Sequence, residues 1–233
     1  SDLRGFGCDN LERAISAAGC LLNYAQQTHR TALPHLRRIQ VEYTGDSIRL
    51  DPQSRRNLEL EQNLSGGRDN TLIAVLDKTA TPMGARLLRR WLMRPIRDTR
   101  VLKQRQESIQ QFIDQQQAGT SQDLMRPLGD IERILSRVAL RSARPRDFMH
   151  LRRMLEMLPD MHQLLKPMSC LHLRHLDRSL GTFAELLRLL QSAIIDEPPV
   201  LIRDGGVIKP GFDAELDRLR DLHLNASGFL QQV

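Results

Sequence analysis

The sequence predicts a mostly α-helical fold, an irregular multi-helix array with two short β-hairpins. Three observations predict it. Apolar residues recur at three- and four-residue spacing along most of the chain. Asp-Pro and Thr-Pro pairs repeatedly mark helix starts. Period-two alternation or a tight-turn dipeptide occurs in only two places. No self-similarity at a fixed period supports a regular solenoid.

Asp9 followed by Glu12 resembles a capping box, and Leu11, Ile15, Ala18, Leu22 and Ala25 carry a helix to about Thr28. Pro34 breaks the pattern. Residues 38–43 then alternate, Thr44-Gly45-Asp46 turns, and residues 47–50 can return as the first hairpin. Asp51-Pro52 opens a helix that carries Leu58 and Leu60 and ends near Gly66-Gly67. Thr71 begins a short apolar turn through Leu72, Val75 and Leu76. Thr81-Pro82 repeats the cap-plus-proline device ahead of a stripe of Met83, Leu87, Leu88, Trp91 and Leu92, which Pro95 stops. Asp98 caps a helix burying Leu102, Ile109, Phe112 and Ile113, and the polar run from Gln115 to Thr120 reads as a solvated loop. Asp130 opens a helix with Ile131, Ile134, Leu135 and Val138 inward, and Pro145 starts the next through Phe148, Leu151, Leu155 and Leu158. Further helices are expected around Leu164, from Leu171 to Leu180, and from Phe183 to Ile195, with Pro198-Pro199 closing the array. The second hairpin pairs Val200-Leu201-Ile202 with Val207-Ile208 across Asp204-Gly205-Gly206, a turn that needs positive φ. Asp213 starts a final helix with Leu216, Leu219, Leu222 and Leu224.

The chain has 233 residues, 40% hydrophobic and 27% charged, enough for one large or two small domains with a buried core. No apolar run approaches the roughly 18 residues of a membrane-spanning helix. The net charge is +6, and residues 86–153 alone carry 16 basic against 7 acidic side chains. That excess fits either a nucleic-acid partner or a solvated surface, and only Trp91, Phe112 and Phe148 offer stacking aromatics within it. Cys8, Cys20 and Cys170 are odd in number and widely spaced, which argues against a disulfide framework. The first residues lack an initiator Met and a signal-like pattern, so a cytoplasmic chain cut from something longer is expected.

Chemistry is sparse. No phosphate-loop motif occurs, and neither Gly66-Gly67 nor Gly205-Gly206 lies between a buried strand and a helix, so no bound cofactor is expected. His172 and His175 with His162 upstream fall short of a zinc set, so no metal site is expected. No Ser/His context suggests a nucleophile, and Asp196-Glu197 reads as a solvated helix end. No catalytic residue is expected. Arg141, Arg144 and Arg146 form the densest basic cluster, with two readings: contacts between helices or domains, or weak contacts to DNA phosphates. Candidate core residues are Leu58, Leu87, Leu88, Trp91 and Ile134.

Several stretches in order carry a resemblance. They are residues 1–7 (SDLRGFG), 56–60 (RNLEL), 81–92 (TPMGARLLRRWL), 130–135 (DIERIL), 143–147 (ARPRD), 203–208 (RDGGVI) and 211–217 (GFDAELD). Together they resemble the MutS family of bacterial DNA mismatch-repair proteins. The resemblance implies that residues 1–28 end a connector domain, that 29–212 form the first segment of a core or lever domain, and that 213–233 begin a long lever helix toward a clamp domain. It also implies that Asn57 and Glu59 are left for polar contacts, that Gly84 permits close helix approach, and that Trp91 plugs the centre of the array.

Members of the family form homodimers around mismatched duplex DNA, use ATP and Mg2+, become sliding clamps and recruit MutL. The implied parent is thus a cytoplasmic, nucleoid-associated DNA-binding ATPase, while this segment lacks the mismatch-reading, clamp and ATPase elements and is not itself an enzyme. Phe183-Ala184-Glu185 matches the family's mismatch-reading tripeptide literally, but it starts an apolar helix, so Phe183 is expected in the core. The expected role is a structural, allosteric lever whose partners are the other domains of the same protein. The alternative is a helical module that binds DNA through Arg141 to Arg153.

Overall fold

A computed structural model describes residues 8, 10–29, 36, 41 and 45–231. The 1–7 stretch, Asp9 of the capping box, Pro34 and all of the first hairpin's leading strand except Val41 lie outside the described residues. Eleven α-helices are described: α1 Glu12–His29, α2 Pro52–Asn57, α3 Leu72–Leu76, α4 Pro82–Met93, α5 Thr99–Asp114, α6 Ala118–Met125, α7 Ile131–Ala139, α8 Pro145–Leu165, α9 Leu171–Ser179, α10 Ala184–Ala193 and α11 Ala214–Gln231. The fold is mostly α, as the apolar spacing predicts. Among the described residues no helix is long and apolar enough to cross a membrane.

The helix starts follow the capping residues. Asp51 accepts the Ser54 amide at 2.9 Å, Thr71 that of Ala74 at 3.3 Å, Thr81 that of Gly84 at 3.1 Å and Asp98 that of Arg100 at 2.9 Å. Each satisfies an amide that the first turn leaves without an intrahelical partner.

The chain divides into two compact units, Ser1–Ser142 with Asp160–Leu180 and Ala143–Pro159 with Gly181–Val233. In the first, Leu60, Ile131, Ile134, Met168 and Leu173 are buried, and α5 packs on α9. In the second, Leu151, Leu155, Met157, Leu158, Leu190, Ala193 and Ile194 are buried.

Four expectations change. The helix opened at Asp51 stops at Asn57, because Glu59 adopts φ 46° and reverses the chain. The expected helix carrying Leu58 and Leu60 is therefore lost. Leu60 turns in while Leu58 stays 58% exposed. The glutamine-rich loop is shorter than expected: Gln116 at φ 53° ends α5, and α6 begins at Ala118, a strong helix former. α8 does not stop at Leu158 but passes through Pro159 to Leu165, at the cost of one backbone hydrogen bond.

The second hairpin is also re-paired. Residues 202–204 form a 3-10 turn, and the strand-like pairing is Ile194 with Ile208, closed by Ile195 N to Val207 O (3.1 Å) and Lys209 N to Ala193 O (2.8 Å). Gly205 and Gly206 do take positive φ, 74° and 66°, but they reverse a wider loop. Ser47, in the return strand of the first hairpin, bridges to Ile96, with Ile48 N bonded to Pro95 O, while the pairing expected with residues 38–43 lies outside the described residues apart from Val41.

Candidate functional site

In the second unit, α11 is rooted by two arginines that act on one antiparallel bridge. Ile194 and Ile208 face each other as a pair that exchanges no hydrogen bonds, so their carbonyls are left for other donors. Arg152 of α8 donates to the Ile194 carbonyl at 3.0 Å, and Arg220 of α11 donates to that of Ile208 at 2.9 Å. Arg152 is buried and its charge is met by Asp196 at 3.0 Å, which also lies 3.7 Å from Lys209. Asp196 therefore contributes to this joint while its side chain stays 79% exposed, as a solvated helix end should be.

On α11, Asp217 accepts the Gly211 amide at 2.6 Å and pairs with Arg220 at 3.0 Å. Asp213 caps the helix through the Leu216 amide at 2.9 Å. α8, the end of α10 and the first two turns of α11 are thus joined by directional bonds. Further along, α11 leaves Leu219 and Leu222 exposed. Sequence reasoning missed Arg152 and Arg220. Their targets are backbone carbonyls 42 and 12 residues away, for which side-chain patterning carries no signal.

The first unit holds a second polar joint. Arg86 of α4 forks onto Asp130 at 2.6 and 2.7 Å and reaches Glu132 at 2.5 Å, tying α4 to the start of α7. The guanidinium hydrogen bonds, helped by the Arg133 amide, push the Asp130 carboxyl down to about 2. The hydrogen bonds that Arg86 donates to Asp130 and then Glu132 raise it above its ordinary range.

The candidate core residues part ways. Ile134 is 2% exposed, Leu88 and Trp91 are half-buried, and Leu87 is 45% exposed. Leu87 and Trp91 line a cavity of about 810 Å³ on this face of α4, opposite residues 46–51 and α2. Trp91 does not plug a centre. It lines that cavity with the Arg105 guanidinium 3.7 Å from its ring centroid. Gly84 meets Thr79 and Thr81 of its own loop, not a neighbouring helix. Glu59 accepts the Leu64 amide at 2.7 Å.

Phe183 is not core. It is 55% exposed, holds φ 45° ahead of α10, and lays its ring against Gly181, where a Cβ would come within 2.7 Å.

Arg141, in the first unit, sits at φ 54° just past α7 with its amide on Val138 O at 3.0 Å, and its side chain is exposed. In the second unit, Arg144 and Arg146 are exposed at the start of α8, where Asp147 accepts the Arg144 amide at 2.9 Å. Arg153 is exposed, whereas Arg152 of the same stretch is turned inward.

Among the described residues no three His, Cys, Asp or Glu side chains gather as a metal site. Gly206 leads into the Ile208 bridge and not into a helix N-terminus. Residues 53–232 match the family model described as MutS domain III, and residues 1–37 match that described as MutS domain II.

Proposed function

Since the chain belongs to the MutS family of DNA mismatch-repair proteins, we propose that it serves as a lever segment, passing mechanical change along α11 without catalysing a reaction itself. The observation that carries this reading is the root of α11. A lever needs a rigid fulcrum, and here Arg152 and Arg220 grip the two carbonyls of one bridge from two different helices. Packed elements held by directional bonds move between discrete arrangements instead of deforming smoothly. The exposed Leu219 and Leu222 are consistent with a further helix laid along α11.

In this reading the parent is a homodimeric ATPase of the bacterial cytoplasm that acts on mismatched DNA and engages MutL. ATP with Mg2+ is held outside this chain, and the chain's own partners are neighbouring domains. The test is Arg220→Met in the full-length protein. Basal ATP hydrolysis and mismatch binding, measured separately, should stay near wild type, while the stimulation of hydrolysis by mismatched DNA falls by roughly 5- to 10-fold. Undiminished stimulation would sink the proposal.

A further inference from the structure

We propose that the cavity beside Trp91 is a docking site for an acidic protein segment carrying an apolar anchor, a role that goes beyond the lever and does not depend on it. Some arginines of this unit are neutralised within the chain: Arg86 by Asp130 and Glu132, Arg89 by Glu61, Arg100 by Asp98. Five arginines line the cavity against two aspartates, and of the five Arg94 has a partner of its own. Of the aspartates, Asp51 is committed to the Ser54 amide and hydroxyl at 2.9 and 2.7 Å. Arg49, Arg55 and Arg90 are exposed and meet no carboxylate among the described residues. Arg105 is partly buried with the Trp91 ring beneath it, and burial lowers its proton affinity. An incoming carboxylate would relieve that desolvated cation.

The floor is apolar and open, with Leu87 and Ile48 exposed, so a leucine or phenylalanine of the partner gains area where the glutamates gain charge. A protein segment fits better than nucleic acid. Arg105 already covers a face of Trp91, leaving less room for base stacking, and Asp46 and Asp51 stand in the rim against a phosphate backbone.

Trp91 is the chain's single tryptophan, so its emission reports on this cavity directly. The probe is a synthetic peptide of glutamate pairs alternating with leucine and phenylalanine, titrated into the whole chain. A control peptide has glutamine for every glutamate. Expected is a saturable change in Trp91 emission that weakens with salt, is absent for the glutamine peptide, and loses affinity roughly tenfold or more in Arg90→Glu and Arg55→Glu. Arg100→Glu, outside the cavity, should bind as wild type. The proposal is overturned by no binding or by equal binding of the glutamine peptide. It is equally overturned by an Arg55→Glu protein of native circular dichroism that binds unchanged, or by duplex or single-stranded DNA displacing the peptide at lower concentration. The glutamine comparison needs no variant, so it decides even if Arg90→Glu does not fold.

Discussion

Asp130 shows how much one carboxylate can hold: it accepts the fork of Arg86, caps α7 through the Arg133 amide at 3.3 Å, and lies 3.3 Å from the Arg133 side chain. Its carboxyl titrates near 2 in the folded chain against an ordinary 3.8. Its stabilisation is therefore complete above about pH 4 and is lost as pH falls through 2. Because Arg86 is partly exposed, solvent screening keeps the net effect to roughly 1 kcal/mol. Asp130→Asn should lower the thermal midpoint at pH 7 by a few degrees, with the gap to wild type closing toward pH 2; an equal gap at both pH values would refute the assignment. Phe183 illustrates the opposite economy. Its left-handed backbone is strained for an aromatic residue, and only a glycine at 181 leaves space for the ring. Apolar spacing made Phe183 look like core because a pattern of leucines says which face is buried, not whether the first residue has yet joined the helix.

Among elements, the starts were legible and the ends were not. Asp51-Pro52, Thr71, Thr81-Pro82, Asp98 and Asp130 each cap a helix where the sequence places one, because a cap acts within three residues. The ends at Glu59, Gln116 and Arg141 turn through positive φ without glycine, so no local signal marks them. The root of α11 was illegible for a related reason, since it depends on which distant carbonyls are left unpaired. α9 adds a third case. Its N-cap residue Cys170 supplies no side-chain bond, and Gln111 of α5 instead accepts the Ser169 and Cys170 amides at 2.9 and 3.1 Å while donating to the Ser169 hydroxyl at 2.6 Å. Gln111→Leu should cost about 1–2 kcal/mol, read as a lower urea midpoint, because two amides lose their acceptor. A midpoint within error of wild type would show that water replaces the amide at no cost.

For the molecule as a whole, apolar spacing and caps conveyed the helical class, and the family resemblance came from short motifs spread along nearly the whole chain. The division into two units was hidden, since the chain crosses it three times, once after Pro159 inside a continuous helix. One consequence of the capping chemistry emerges only at this scale. α2, α5 and α7 are fastened by carboxylates, those of Asp51, Asp98 and Asp130, all held below their ordinary range by the hydrogen bonds they accept. α3, α4 and α9 are fastened by neutral oxygens from Thr71, Thr81 and Gln111. Acid therefore acts on this chain as a selective solvent. Followed residue by residue by amide hydrogen exchange, acidification from pH 5 toward 2 should strip protection first from the opening turns of α2, α5 and α7, with those of α3, α4 and α9 still closed. Two populations of fastener, one ionisable and one inert, give the array an order of disassembly written into which oxygen caps which helix.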